Sequence, residues 1–211
     1  MQKITLIDYD MGNTFSVTRA LESFGCEVEF SNDPSIIENS SKLVLPGVGA
    51  FEDGISNLKS LNLDKAIINF VNKGNPILGI CVGMQLMMSR SEENGNHEGL
   101  NIVEGDVLRF DESKSENNKF KIPQIGWNQL NIKSNLSKSK ILSAMNEEPN
   151  MYFLHSYFVD PLDKDIVLAE TSYGENTFCS AFEDNNIYGF QFHPEKSAED
   201  GLQLLKNFIE L

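Results

Sequence analysis

The first ninety residues alternate short apolar runs with stretches of helical periodicity, and this rhythm constrains the fold more than any other feature. Residues 3–8, 28–30, 43–45 and 77–80 read as strands. Between them, Asn13 is placed to cap a helix carrying Phe15, Val17, Ala20, Leu21 and Phe24 and ended by Gly25. Asp33-Pro34 opens a helical turn, and residues 61–71 read as a helix ended by Gly74. After the fourth strand, Met84, Leu86, Met87 and Met88 fall at helical spacing. Strand–helix units this short imply a mostly parallel central sheet flanked by helices. In such sheets reactive groups collect in the loops at the carboxyl ends of the strands. Here those loops are 8–13, 46–51 and 81–83.

From residue 91 the texture changes. Segments 91–99 and 111–119 are polar and loop-like, the second a mobile excursion. Residues 102–110, 120–125, 151–155, 166–170, 177–182 and 187–192 read as strands and add an antiparallel portion; 198–211 carries Leu202, Leu204, Leu205, Phe208 and Ile209 on a helical repeat. With no internal repeat and no linker, residues 1–211 are expected to form one domain. Thirty-one acidic against 17 basic residues give a net charge of -14, which repels phosphate backbones and anionic lipid. Neither nucleic acid nor membrane is an expected partner. Three cysteines, Cys26, Cys81 and Cys179, make no disulfide framework and show no zinc-binding spacing, so no metal or cofactor is expected. The N-terminal residues lack the apolar stretch of a signal peptide, and a cytoplasmic location follows.

Gly79-Ile80-Cys81-Val82-Gly83 sets a cysteine between glycines where a buried strand meets a helix. This is the thiol analogue of a nucleophile elbow, a turn too sharp for side chains on either flank. A helix N-terminus beside the sulfur favours thiolate. The competing reading is a small buried cysteine packed between glycines. His193, in Gly189-Phe190-Gln191-Phe192-His193-Pro194-Glu195, is a candidate base, with Glu195 across a stiff proline as the group that orients it. A solvated His-Pro turn is the plainer alternative, and His155 is a competing base. Pro46-Gly47-Val48-Gly49-Ala50-Phe51 carries glycines that let backbone N–H groups turn toward a ligand, as an oxyanion hole requires.

Together G-I-C-V-G-M-Q, Q-F-H-P-E, P-G-V-G-A-F, G-W-N and Y-F-L-H-S-Y occur in an order that resembles the class I (triad) glutamine amidotransferases. Within them the pattern is most similar to the glutaminase subunits of imidazole glycerol phosphate synthases, over nearly the whole chain. The resemblance implies a flavodoxin-like fold with Cys81 as nucleophile, His193 as base and later acid, and Glu195 as the orienting carboxylate. It places Val48, Gly49 and Val82 at the oxyanion hole, and Gly47, Gln85, Glu93, His155, Ser156 and Tyr157 around bound glutamine. Asn13, Trp127, Asn128 and Lys196 would border a partner. Gln124 departs from the histidine usual at that position.

The chemistry so implied is attack of Cys81 on the glutamine side-chain amide, loss of ammonia, and hydrolysis of a thioester to glutamate. The ammonia would pass to a (β/α)₈ cyclase, in a heterodimer that makes imidazole glycerol phosphate and AICAR in histidine biosynthesis. A related subunit supplying a nucleotide-sugar amidotransferase is the alternative. A stand-alone Cys-His γ-glutamyl hydrolase is a further one.

Overall fold

The computed structural model describes residues 2–111, 121–133 and 139–211. The parallel half is built from β1 (Lys3–Ile7), α1 (Thr14–Glu22), β2 (Glu27–Ser31), α2 (Pro34–Glu38), β3 (Leu43–Leu45), α3 (Phe51–Ser60), α4 (Leu63–Asn72), β4 (Ile77–Ile80) and α5 (Val82–Leu86). The second half adds β5 (Arg90–Ser91), β6 (His97–Glu98), β7 (Gly105–Arg109), β8 (Gln124–Gln129), β9 (Asn131–Ile132) and β10 (Asn150–His155). It ends with β11 (Tyr157–Pro161), β12 (Val167–Tyr173), β13 (Asn176–Asp184), β14 (Ile187–Phe190) and α6 (Ala198–Glu210).

The main sheet runs β2-β1-β3-β4-β14-β13-β11-β7-β5-β6, with β12 and β9 branching from β13. From β2 to β14 every pairing is parallel, and from β14 to β7 every pairing is antiparallel. The mostly parallel core with an antiparallel extension matches the sequence expectation. Strands β3 and β4 are buried along their whole length, as strands covered on both faces must be, which is why they read as unbroken apolar runs. The crossover β1-α1-β2 runs one way along the sheet, while β2-α2-β3 and β3-α3-α4-β4 run the other. Right-handed connections then place α1 on one face and α2 to α4 on the opposite face. The C-terminal helix α6 packs with α1.

Local differences from the sequence reading have physical causes. Asn13 occupies the N-cap of α1 but its side chain makes no capping bond, whereas Asp33 does cap α2, accepting from Ser35 N at 2.8 Å. Helix α3 is an addition: Phe51, Ile55 and Leu58 carry its buried stripe, and Gly54 interrupts the apolar signal because a side chain there would press on Leu86. The strand expected from residue 120 instead begins at Gln124, and Phe120 with residues 112–119 lies outside the described residues. β11 is an addition, since the sequence reading ends its strand at His155 and assigns none to 157–161. The chain passes from the two-stranded sheet β8–β10 into the main sheet at Ser156, and a one-residue break leaves no trace in the hydrophobic period.

Candidate active site

Two neighbouring parallel strands deliver the central pair. Ile80 of β4 is in register with Phe190 of β14, so the residues leaving the two strands emerge side by side. Cys81 follows β4 with φ 54° and ψ -113°, and its N–H donates to Phe190 O at 2.7 Å. A positive φ at a non-glycine residue is strain of the kind an elbow stores. Its flanks show why glycine is required: a Cβ at Gly83 would sit 1.9 Å from Leu45 O, and one at Gly79 would lie 2.7 Å from Met84 N. The sulfur is buried at the start of α5, 3.8 Å from Leu154 O.

His193 enters from the segment after β14. Its N–H donates to Tyr152 O of β10 at 2.9 Å, and Ser197 Oγ donates to His193 O at 2.7 Å, which clamps the turn in place. Its Nδ1 lies 3.0 Å from Glu195 Oε1, both side chains being almost wholly buried. Burial alone would lower the imidazole, but the Cys81 thiol and the Glu195 carboxylate outweigh it and hold His193 above its ordinary value. An imidazolium beside the sulfur favours thiolate; a carboxylate on Nδ1 fixes Nε2 as the nitrogen that handles the proton.

A cavity of about 200 Å³ opens over this pair. Val48, Gly49, Cys81, Val82, Gln85, Glu93, His155, Ser156, Tyr157 and His193 all line it, together with Pro123 and Leu154, which the sequence reading did not single out. Gly47 is displaced from its expected place. It does not line the cavity but wedges against the elbow, where a Cβ would lie 2.5 Å from Gly83 N and 2.9 Å from the Tyr9 hydroxyl. Tyr9, whose hydroxyl donates to Pro46 O at 2.5 Å, is a buried anchor of the same loop that the sequence reading missed. The far end of the loop is held by Glu93, whose Oε2 accepts from Phe51 N at 2.7 Å.

Gln85 is buried in α5 and donates to Tyr157 O at 2.9 Å. The same carbonyl lies 2.7 Å from His155 Nδ1, so His155 carries its proton there and turns a bare Nε2 inward. Burial, aided by the charge of His193 and only partly offset by the bond to Tyr157 O, pushes His155 down to about 3. A group this hard to protonate is a poor competitor as base. The sign of its linkage follows. The unfolded chain binds this proton near pH 6.5 and the folded chain only near 3, so the stability is present above 6.5 and declines as pH falls. Between pH 6.5 and 5 the wild-type chain is expected to lose about 1.5 kcal/mol that a His155→Gln chain keeps. Urea unfolding at several pH values reads this, and equal slopes for the two chains would contradict it.

The other cysteines lack these features. Burial raises both Cys26 and Cys179, only partly relieved by Lys42 at Cys26. A glutamine-like electrophile is therefore expected to modify Cys81 about 100-fold faster than either. Peptide mapping after partial labelling checks this, and equal labelling of all three would contradict it. Among the described residues, no group of three His, Cys, Asp or Glu side chains could hold a metal ion, and no helix is long and apolar enough to cross a membrane.

Four further residues were expected at a partner surface. Trp127 is 53% exposed, edge-on to Tyr152, over whose ring Lys196 Nζ lies at 5.9 Å. Ile125, 61% exposed, pairs across the ribbon with Leu154, whose carbonyl meets the sulfur. Asn13 is half-buried, beyond Gly12, which packs on Pro46. Asn128 turns inward, its Oδ1 accepting from the buried Gln124 at 2.8 Å. Gln124 thus belongs to the inner face of the ribbon, not to the outward face that carries Ile125 and Trp127.

Thiol acyl transfer on a largely parallel α/β sheet is the class of activity to which this fold and site correspond. The chain belongs to the glutamine amidotransferase class-I family, whose model matches residues 5–211. It is 43% identical over 212 residues to imidazole glycerol phosphate synthase subunit HisH of Geobacter sulfurreducens, covering 100% of both chains. The subunit of the same name from Aquifex aeolicus is 47% identical over 207 residues, covering 98% of this chain and 95% of that one. Among solved structures, PurLQS from Thermotoga maritima superposes with a TM-score of 0.76 at 17% identity, covering 99% of this chain and 98% of that one. A glutamine amidotransferase crystal structure gives 0.73 at 16% identity, covering 98% and 97%. At such identities the structures speak for the fold alone.

Proposed function

We propose that this chain is the glutaminase subunit of imidazole glycerol phosphate synthase, releasing ammonia from glutamine for a cyclase partner in the cytoplasm. The observation that carries this reading is the full-length similarity to HisH subunits at 43% and 47% identity. One continuous main sheet supports reading residues 1–211 as a single catalytic domain.

In this reading the Cys81 thiolate attacks the glutamine Cδ. The tetrahedral oxyanion is held by the N–H of Val82 and by one turned in from Val48 or Gly49. His193 Nε2 gives its proton to the departing nitrogen, which leaves as ammonia, and a γ-glutamyl thioester remains on Cys81. Water, deprotonated by the same nitrogen, attacks the thioester and releases glutamate with the thiolate restored. Glu195 keeps the imidazole in one tautomer throughout. Gln85, Glu93 and the Ser156-Tyr157 segment hold the α-amino and α-carboxylate groups.

Ammonia is protonated quickly in water, so the partner must cover the mouth of the cavity. Ile125, Trp127 and Leu154 form an outward apolar face beside the sulfur, with Lys196 at its edge, and that face suits a docked barrel. Mixing with the histidine-pathway cyclase is expected to give a one-to-one complex, weakened at least about tenfold by Ile125→Asp. Calorimetric titration checks it. Binding to a nucleotide-sugar amidotransferase in place of the cyclase would overturn the histidine assignment.

A further inference from the structure

Gln191 is fully buried beside the nucleophile and has no part in the chemistry above. It is the first residue after β14, as Cys81 is the first after β4, and the register of the two strands sets them next to each other. Its own N–H donates to Ser180 O of β13 at 3.0 Å, so the backbone beneath the side chain is fixed from both neighbouring strands.

Counting donors and acceptors orients its amide. Gln85 meets Tyr157 O at 2.9 Å, and a carbonyl only accepts, so the Gln85 atom there is its NH₂. The second proton of that NH₂ points to Gln191 at 3.2 Å, which must present its oxygen. The NH₂ of Gln191 is then left facing Cys81 Sγ at 3.9 Å. Rotating the amide would set two NH₂ groups against each other and an oxygen against the sulfur.

We infer that Gln191 is a further catalytic residue, a neutral N–H donor to the Cys81 thiolate, held in that orientation by Gln85. The ionisable groups that share the cavity with the sulfur are His193, with Glu195 behind it, His155, Tyr157 and Glu93, whose carboxylate can only accept; Tyr9, just after β1, also feels the sulfur. The Tyr9 hydroxyl is committed to Pro46 O, and His155 has its proton on Tyr157 O, so neither donates to sulfur. His193 and Gln191 are the side chains that do so.

The inference rests on Cys81 being the nucleophile. Its test uses iodoacetamide, which needs neither glutamine nor a partner, so the partner assignment can fail without touching it. Selective labelling of Cys81 in the wild-type chain establishes the nucleophile first. In Gln191→Met, of similar shape and with no N–H, the midpoint of Cys81 alkylation against pH is expected to rise by about one unit. Because nucleophilicity falls as thiol pKa falls, the high-pH plateau should rise about threefold while the rate well below the midpoint drops about threefold. General structural damage would lower the rate at every pH. An unchanged midpoint, or uniform slowing, overturns the inference. Independently of any substitution at 191, the side-chain amide protons of Gln191 are expected to shift as the thiolate forms, and to lose that titration in Cys81→Ala. Amide resonances indifferent to pH in both chains overturn it equally, even if Gln191→Met fails to fold.

Discussion

In complex with its synthase partner, the Cys81→Ala chain is expected to lose glutamine-driven synthesis by about 10⁴-fold or more while ammonia-driven synthesis stays within about twofold. The asymmetry follows from where the chemistry lies. The sulfur is the only group at the elbow that can form the acyl intermediate, and removing it leaves one small void beside Leu154 O. Under the proposed function the acceptor chemistry belongs to the other chain, which would accept ammonia supplied from solution. Adding His193→Ala to Cys81→Ala is expected to cost nothing further, because a base without its nucleophile has no proton to move. Loss of both activities together, with the complex intact, would contradict this division of labour.

The parts of this site that were legible in the sequence are those whose chemistry is written in a short run of residues. Gly79 and Gly83 around Cys81 signalled an elbow, and the clashes a Cβ would meet at either position show why. Glu195, two residues from His193, could be placed on its imidazole because a proline between them leaves little freedom. What stayed hidden depended on strands distant in sequence. Gln191 stood in plain view beside His193, yet only the pairing of β14 with β4 brings it to the sulfur. The inward turn of Gln124 and Asn128 likewise depends on the register of β8 with β10, where the same residues could have faced a partner. Gly47 was read with the ligand-binding loop; its burial against Val82 and Gly83 comes from the close approach of two loops that no local pattern reports. Helix α3 was hidden by a glycine whose reason is a tertiary contact with Leu86.

The loop at residues 46–50 also carries the account of control. Its ends are fastened: Pro46 O by the Tyr9 hydroxyl, Gly47 by the elbow, and Phe51 N by the Glu93 carboxylate. Between these points only Val48 and Gly49 are exposed, and Gly49 has a φ of +109°. A peptide between two such residues can rotate without moving its neighbours, which turns one N–H toward the oxyanion site or away from it. A partner that favours the inward orientation by about 4 kcal/mol would raise the active population about a thousandfold, if that population begins rare. Leu154 lines the same cavity and pairs across the ribbon with the exposed Ile125, so a partner docked on that face is placed to set this balance.

Steady-state glutamine hydrolysis by the chain alone, with the cyclase, and with the cyclase carrying its acceptor nucleotide tests this most directly. The account predicts a very slow rate alone and a rate about 10³-fold higher in the complete mixture, abolished in Cys81→Ala. Equal rates in all three mixtures would make the chain a self-sufficient hydrolase and contradict the account.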